Sequence, residues 1–89
     1  MTDAAAANPA KAPGLEINPV NDGYVVYQAA RDRVHYLNQT AAIVFELCNG
    51  QNSPDDIAAL LQQAWELTTP PATQVADCLS SLRQEGLIV

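Results

Sequence analysis

The chain has 89 residues, of which 48% are hydrophobic, and this size and composition predict one small folded domain. Its formal net charge is −6, and its only basic residues are Lys11, Arg31, Arg33 and Arg83. This balance argues against binding to nucleic acid or to an anionic membrane surface, because both depend on many Lys and Arg contacts to phosphate.

The first residues and the cysteines are relevant to where in the cell the protein is expected. Residues 1–7 lack a basic start and a long apolar core, so they do not resemble a secretory signal peptide, and no stretch is apolar enough to span a bilayer. We therefore expect a cytoplasmic protein whose Cys48 and Cys78 remain thiols. Both cysteines fall on apolar helical stripes, which favours buried core residues, although a disulfide between them stays open.

The N-terminal half predicts a tail followed by three strands. Residues 1–13 are rich in Ala and Pro without an apolar period, which indicates a flexible tail ahead of a domain over residues 14–89. Leu15-Glu16-Ile17 alternates and is stopped by Asn18-Pro19, as in a short first strand. Residues 24–28 and 33–37 are rich in β-branched and aromatic side chains, so they predict a β-hairpin.

Three helices are predicted to follow. Asn38 can cap the first helix, over residues 39–48, and Asn49-Gly50 ends it. Ser53-Pro54 begins the second helix, which ends near Trp65 or Glu66, and the third runs over residues 71–85. The three apolar faces are predicted to comprise Ala41, Val44, Phe45 and Cys48; Ile57, Leu60, Leu61 and Ala64; and Val75, Cys78, Leu79 and Leu82. Residues 87–89 are expected to fold back onto the core.

The sequence contains no arrangement of residues that is typical of an active site. His35 is the only histidine, and only the two cysteines could join it around a zinc ion, which needs three or four protein ligands. No Gly-rich phosphate loop is present. We therefore expect a protein that is not an enzyme, with no catalytic residues, no metal and no cofactor, and we interpret His35 as a strand residue at the surface or its boundary.

Four stretches with regular spacing carry a family resemblance. They are Tyr36-Leu37-Asn38-Gln39-Thr40-Ala41-Ala42, Val44-Phe45-Glu46-Leu47-Cys48-Asn49-Gly50, Ser53-Pro54-Asp55-Asp56-Ile57-Ala58, and Gln74-Val75 through Cys78-Leu79 and Leu82 to Gly86-Leu87. In this order they resemble the PqqD-like family, also called RiPP recognition elements, where RiPPs are ribosomally made and post-translationally modified peptides. Phe45 replaces the usual Trp, Cys78 a larger apolar residue and Gln74 an Asp, whose role Asp77 could take instead.

The resemblance implies a winged-helix-like α+β fold, with a three-stranded antiparallel sheet followed by three helices. It also implies a non-catalytic role, in which the protein holds the leader segment of a precursor peptide and presents it to a modifying enzyme. In many such pathways that enzyme is a radical S-adenosylmethionine (SAM) protein. The precursor and the pathway stay open.

The third strand can offer an unpaired edge to which an extended peptide adds through main-chain hydrogen bonds, with the third helix as the other wall of a groove. The candidate peptide-binding residues are Arg33, Val34, His35, Tyr36 and Leu37 on the strand and Gln74, Val75, Cys78, Leu79 and Leu82 on the helix.

Two other functions fit parts of the pattern. A winged-helix DNA-binding module would share the topology, but its recognition helix would carry only Arg83 as a basic residue. A small acidic carrier protein would share the length and charge, but Ser53 follows Asn52 rather than an Asp, and the strands would be unexplained.

Overall fold

A computed structural model describes residues 8–89 of the chain. Over this range the chain forms β1 (Leu15–Val20), β2 (Gly23–Gln28), a 3-10 turn (Ala29–Arg31), β3 (Arg33–Asn38), α1 (Gln39–Leu47), α2 (Pro54–Ala64) and α3 (Ala72–Gln84). The strands form one antiparallel sheet in the order β1-β2-β3. The predicted α+β fold of three strands followed by three helices is therefore confirmed.

The sheet positions β3 at one edge and β1 at the other, with β2 between them. β1 is longer than the sequence suggested, because pairing with β2 continues through Pro19 to Val20, opposite Gly23. Proline cannot donate a main-chain hydrogen bond, but an edge strand accepts it where the nitrogen faces away from the neighbouring strand. The predicted stop at Asn18-Pro19 is therefore wrong.

The helix termini follow the local signals in the sequence. The Asn38 side chain accepts a hydrogen bond from the Ala41 N–H at 2.9 Å and so caps α1. At α2 the Ser53 hydroxyl accepts from the Asp56 N–H, and the Asp56 carboxylate accepts from the Ser53 N–H, which forms a capping box. Gly86 follows α3 with φ of 76°, a left-handed conformation that ends the helix.

The core lies between the sheet and the three helices and includes the C-terminal residues Leu87 and Ile88. Its buried side chains are Val26, Leu37, Ala42, Val44, Phe45, Cys48, Ile57, Ala58, Leu61, Val75, Leu79, Leu82, Leu87 and Ile88. The apolar face of α2 differs from the prediction, because Leu60 is 42% exposed and Ala64 is exposed while Ala58 is buried. The helix thus turns Ile57, Ala58 and Leu61 inward.

The segment just before β1 packs against the rest of the protein. Five backbone hydrogen bonds hold it: Ala10 N–H to Val89 O, Val89 N–H to Ala10 O, Lys11 N–H to Cys48 O, Ala12 N–H to Leu87 O, and Gly50 N–H to Pro9 O. The Lys11 ammonium lies 5.3 Å from the centre of the Phe45 ring. The expectation that residues 8–12 belong to a flexible tail is therefore wrong, whereas residues 1–7 of that tail lie outside the described residues.

Deleting residues 1–12 is expected to lower the free energy of unfolding by about 2 kcal/mol. The deletion removes several backbone hydrogen bonds, each of which contributes roughly 1 kcal/mol. Part of this loss is offset, because the segment no longer loses conformational entropy when the protein folds. For a domain of this size the net loss corresponds to a fall in melting temperature of roughly 10 °C. A deletion of residues 1–7, which retains Pro9 and Ala10, is the control. Equal melting temperatures for the two deletions would contradict the packing role.

Candidate functional site

An open groove of about 440 Å³ lies between β3 and α3. Its lining residues come from four parts of the chain, namely β3, the start of α1, the last turns of α3 and the C-terminal segment. They are Val34, His35, Tyr36, Leu37, Asn38, Ala41, Cys78, Ser81, Leu82, Glu85 and Leu87. The groove therefore occupies the place between the third strand and third helix where the sequence predicted a peptide site.

Large apolar side chains form the floor of the groove, and small ones make room above it. Leu37, Leu82 and Leu87 are all buried in the core and present only part of their surface to the groove. Cys78 and Ser81 are short side chains on α3 that leave space beside that floor. With a volume of about 440 Å³, the groove has room over this floor for an aliphatic side chain of a ligand.

The backbone of β3 faces the groove with hydrogen-bonding groups that β2 does not use. A Cβ atom on Gly23 would overlap the carbonyl oxygen of Leu37, so that carbonyl points toward β2. Because backbone groups alternate in direction along an antiparallel strand, those of His35 also point to β2, and those of Val34 and Tyr36 point away from it. Within residues 8–89 no other strand pairs with this edge.

Pro19 provides an independent check of this alternation. When the same alternation is followed from β3 across β2 to β1, the backbone nitrogen of Pro19 faces the outer side of β1. The missing N–H of proline therefore removes no hydrogen bond between β1 and β2. The side chains of β3 alternate as well, since His35 and Leu37 face the helices whereas Val34 and Tyr36 are 66% and 58% exposed.

A polar cluster lies at the end of the groove near the β2–β3 turn. The buried Gln28 amide nitrogen donates to the carbonyl oxygens of Glu85 and Gly86, at 3.2 and 3.3 Å. Nε2 of His35 lies 3.0 Å from the Gln28 amide oxygen, and Nδ1 of His35 lies 3.6 Å from a Glu85 carboxylate oxygen. Gln28 thereby ties the centre of the sheet to the end of α3.

Two arginines lie at the outer rim of this cluster. The Arg31 guanidinium donates to the Glu85 carbonyl at 3.4 Å, and an Arg33 guanidinium nitrogen lies 3.9 Å from a Glu85 carboxylate oxygen. The side chains of Arg33 and Glu85 are largely exposed, so their ion pair contributes at most about 1 kcal/mol. Neither arginine lines the groove.

Both cysteines are free thiols, so no disulfide joins Cys48 and Cys78. Burial raises the pKa of the Cys48 thiol to about 11, and burial also raises the pKa of Cys78. A raised pKa leaves very little thiolate at neutral pH, and the thiolate is the nucleophile and metal ligand. Among residues 8–89 there is no group of three His, Cys, Asp or Glu side chains that could hold a metal ion.

The groove includes six of the ten residues that the sequence nominated. Val34, His35, Tyr36, Leu37, Cys78 and Leu82 line it. Arg33 stands at its rim, and Gln74 is exposed on α3 outside the lining. Val75 and Leu79 are buried in the core and do not reach the groove.

The sequence reasoning missed five lining residues, which are Asn38, Ala41, Ser81, Glu85 and Leu87. Those on α3 and at its end follow the helical spacing that starts at Cys78 and continues through Ser81 to Glu85. That spacing was available in the sequence, but the polar side chains at two of the three positions resembled an ordinary solvated face.

A second depression, of about 290 Å³, lies near the start of β2 and is lined in part by Tyr24, Ile43, Glu46 and Leu47. Burial, together with the nearby Glu46 carboxylate, raises the pKa of the Tyr24 hydroxyl. Among the described residues, its lining contains none from the edge strands β1 and β3. Unlike the first groove, it therefore has no unpaired strand edge beside it to which a peptide could add.

No helix over residues 8–89 is both long and apolar enough to cross a membrane. Comparison with known families gives a match to the profile described as "Coenzyme PQQ synthesis protein D (PqqD)" over residues 23–88. Comparisons with curated proteins and with solved structures give no significant match. The matched residues contain β2, β3 and all three helices, and thus the entire lining of the groove.

Proposed function

Since this chain belongs to the PqqD family, whose members are accessory proteins of PQQ and RiPP biosynthesis, we propose that it binds the leader segment of a ribosomally made precursor peptide and presents that peptide to a modifying enzyme. The proposed partner enzyme is a radical SAM protein, as the resemblance of the sequence implies. The protein itself is proposed to contribute binding and positioning without catalysis.

The observation that carries this proposal is the combination of an unpaired β3 edge with an apolar groove directly beside it. The N–H and C=O groups of Val34 and Tyr36 are available to an added strand. In β-strand addition, main-chain hydrogen bonds supply affinity whatever the side chains are, and pockets that receive alternate side chains supply selectivity. The depression over Leu37 and Leu82 is suited to that second role.

The charge distribution favours a peptide over DNA as the ligand. α3 would be the recognition helix of a DNA-binding winged helix, yet Arg83 is its only basic residue and the chain carries a net charge of −6. DNA binding at physiological salt relies on several phosphate contacts from Lys and Arg. Nothing in the groove or on α3 favours this alternative.

The proposal is tested with an array of overlapping peptides that cover the short open reading frames beside the gene. We expect the purified protein to retain peptides from the N-terminal part of one such frame, because a leader precedes the segment that is modified. A retained peptide titrated into 15N-labelled protein is expected to shift amides of residues 33–38 and 78–87 first. The largest shifts on residues 57–64 of α2, or no saturable binding to any peptide, would contradict the proposal.

A further inference from the structure

The polar end of the groove presents two hydrogen-bond acceptors to the same small region. The Gln28 amide nitrogen is committed to the carbonyls of Glu85 and Gly86, so the Gln28 oxygen faces His35 and can only accept. Nε2 of a neutral His35 therefore carries the proton and donates to Gln28. Nδ1 of His35 is then an acceptor, and it lies 3.6 Å from the Glu85 carboxylate.

Two acceptors at this distance repel each other unless a donor lies between or beside them. Of the nearby side-chain donors, Gln28 and Arg31 donate to main-chain carbonyls, and Arg33 forms an ion pair with the same Glu85 carboxylate oxygen but at 3.9 Å does not hydrogen-bond to it. A positively charged donor that enters from the groove would satisfy the His35 nitrogen and the Glu85 carboxylate together.

The charge inside the groove also favours a cation at this position, against the opposing charges of Arg31 and Arg33 at the outer rim. Among the described residues that line the groove, Glu85 is the only one with a formal charge at neutral pH when His35 is neutral. Glu85 is also the residue at the C-terminal end of α3, where the helix dipole is negative and a carboxylate is unfavourable by itself. The protein as a whole has a net charge of −6, which attracts a basic ligand from a distance.

We propose that Glu85 and His35 form a subsite for a Lys or Arg side chain of the bound peptide, an inference that rests on the proposed peptide-binding function. The same peptide would place an aliphatic side chain over the floor at Leu37 and Leu82. His35 and Leu37 are two residues apart on one face of β3, so the two peptide side chains are also two residues apart. The ligand is thus an extended segment with a basic and an aliphatic residue at positions i and i+2, whose order reports the direction of the added strand.

The test is selection of a displayed library of random peptides against the wild-type protein and against the variants Glu85→Gln and Glu85→Lys. We expect wild-type protein to enrich a Lys or Arg two residues from an aliphatic residue. Glu85→Gln is expected to weaken the best peptide by about tenfold, since a charge-assisted hydrogen bond is lost at a half-exposed site. Glu85→Lys is expected to shift the preference at that position to Asp or Glu.

The matched control is Glu16→Gln, which makes the same substitution at an exposed position of β1, at the opposite edge of the sheet from β3 and outside the groove lining. It should leave the affinity within about twofold, because two strand spacings of about 4.8 Å each separate β1 from β3, and exposed charges beyond the Debye length of about 8 Å are screened at physiological salt. Peptides that bind the groove without a basic residue, or equal losses in the two neutralised variants, would overturn the subsite and leave the proposed function standing. Selection of no groove-binding peptide would overturn both.

Discussion

Replacing Tyr36 with proline is expected to weaken peptide binding by about tenfold to a hundredfold while the fold stays intact. The Tyr36 N–H points away from β2, so a proline here removes no hydrogen bond from the native sheet. It does remove a donor from the edge to which the peptide is proposed to add. The acceptor on the peptide would then be buried without a partner, which costs about 1–3 kcal/mol.

Tyr36→Ala is the matched control for this variant. Both substitutions remove the phenol, including its 3.4 Å hydrogen bond to the Asp22 carbonyl, but only proline removes the N–H. We expect Tyr36→Ala to lose no more than a few-fold in affinity, because the Tyr36 side chain is exposed on the far face of the sheet. Equal affinities for the two variants, measured by calorimetry with the same peptide, would show that main-chain pairing at this edge does not carry the binding.

A proline at His35 is expected to give a different result. The backbone of His35 faces β2 opposite Val26, so proline there breaks the native ladder and removes the side chain that Gln28 holds. Loss of melting temperature in His35→Pro, together with its retention in Tyr36→Pro, would verify the alternation of the β3 backbone independently of any ligand. Position 36 rather than 35 is therefore the informative one for binding.

The order of the elements could be predicted from the sequence because each boundary has a local cause. Asn38 marks the change from β3 to α1 through its side-chain cap, and Ser53-Pro54 marks the start of α2. Gly86 marks the end of α3 through its left-handed conformation. Signals of this kind involve residues that are close together in the chain, so they can be recognised without knowledge of the tertiary structure.

The packing of residues 8–12 could not be predicted in this way. Its hydrogen bonds are between backbone groups of residues distant in sequence, such as Ala10 with Val89 and Lys11 with Cys48. The small side chains of this segment show no hydrophobic periodicity. Pairing between backbone groups does not require particular side chains, so it cannot be recognised from the composition. The same limit applies to β1, where the pairing with β2 continued beyond Pro19.

The position of the groove between β3 and α3 could be predicted from the sequence, whereas the face of α3 that lines it could not. Helical spacing shows that Val75, Leu79 and Leu82 share one stripe, and the structure buries that stripe in the core. The groove is lined by a stripe rotated from it, with Cys78 and Glu85 at its two ends. Adjacent helical residues differ by about 100° in direction, so the sequence could not show on which side of the core stripe β3 would lie.

Filling the groove is expected to have the second large effect. Cys78 projects from α3 into the groove above the floor at Leu82, and its small thiol is part of what leaves the space open. In Cys78→Phe the aromatic ring would occupy the place proposed for the aliphatic side chain of the peptide. We expect an affinity loss of about tenfold to a hundredfold, which corresponds to the 1–3 kcal/mol typical of overpacking a filled site.

The stability of this variant should be preserved because the groove is open and empty of protein atoms. Cys78 is only half-buried, so a phenylalanine can extend along the groove without displacing the core, and the additional apolar contact with Leu37 and Leu82 can raise the melting temperature. Ser80→Phe, which adds the same side chain at an exposed position of α3 outside the groove lining, controls for the effect of an aromatic residue on α3 itself.

The comparison of these two variants separates the groove from the helix as a whole. A peptide that adds to the β3 edge and inserts an aliphatic side chain beside α3 must compete with the Cys78→Phe ring, whereas the Ser80→Phe ring lies outside the groove lining. Calorimetry should therefore show weak binding for the first variant and nearly wild-type binding for the second. Cys78→Phe could instead keep full affinity while its NMR spectrum shows the ring in the groove. In that case the peptide's side chains do not enter the depression, and binding depends on the main chain of β3 alone.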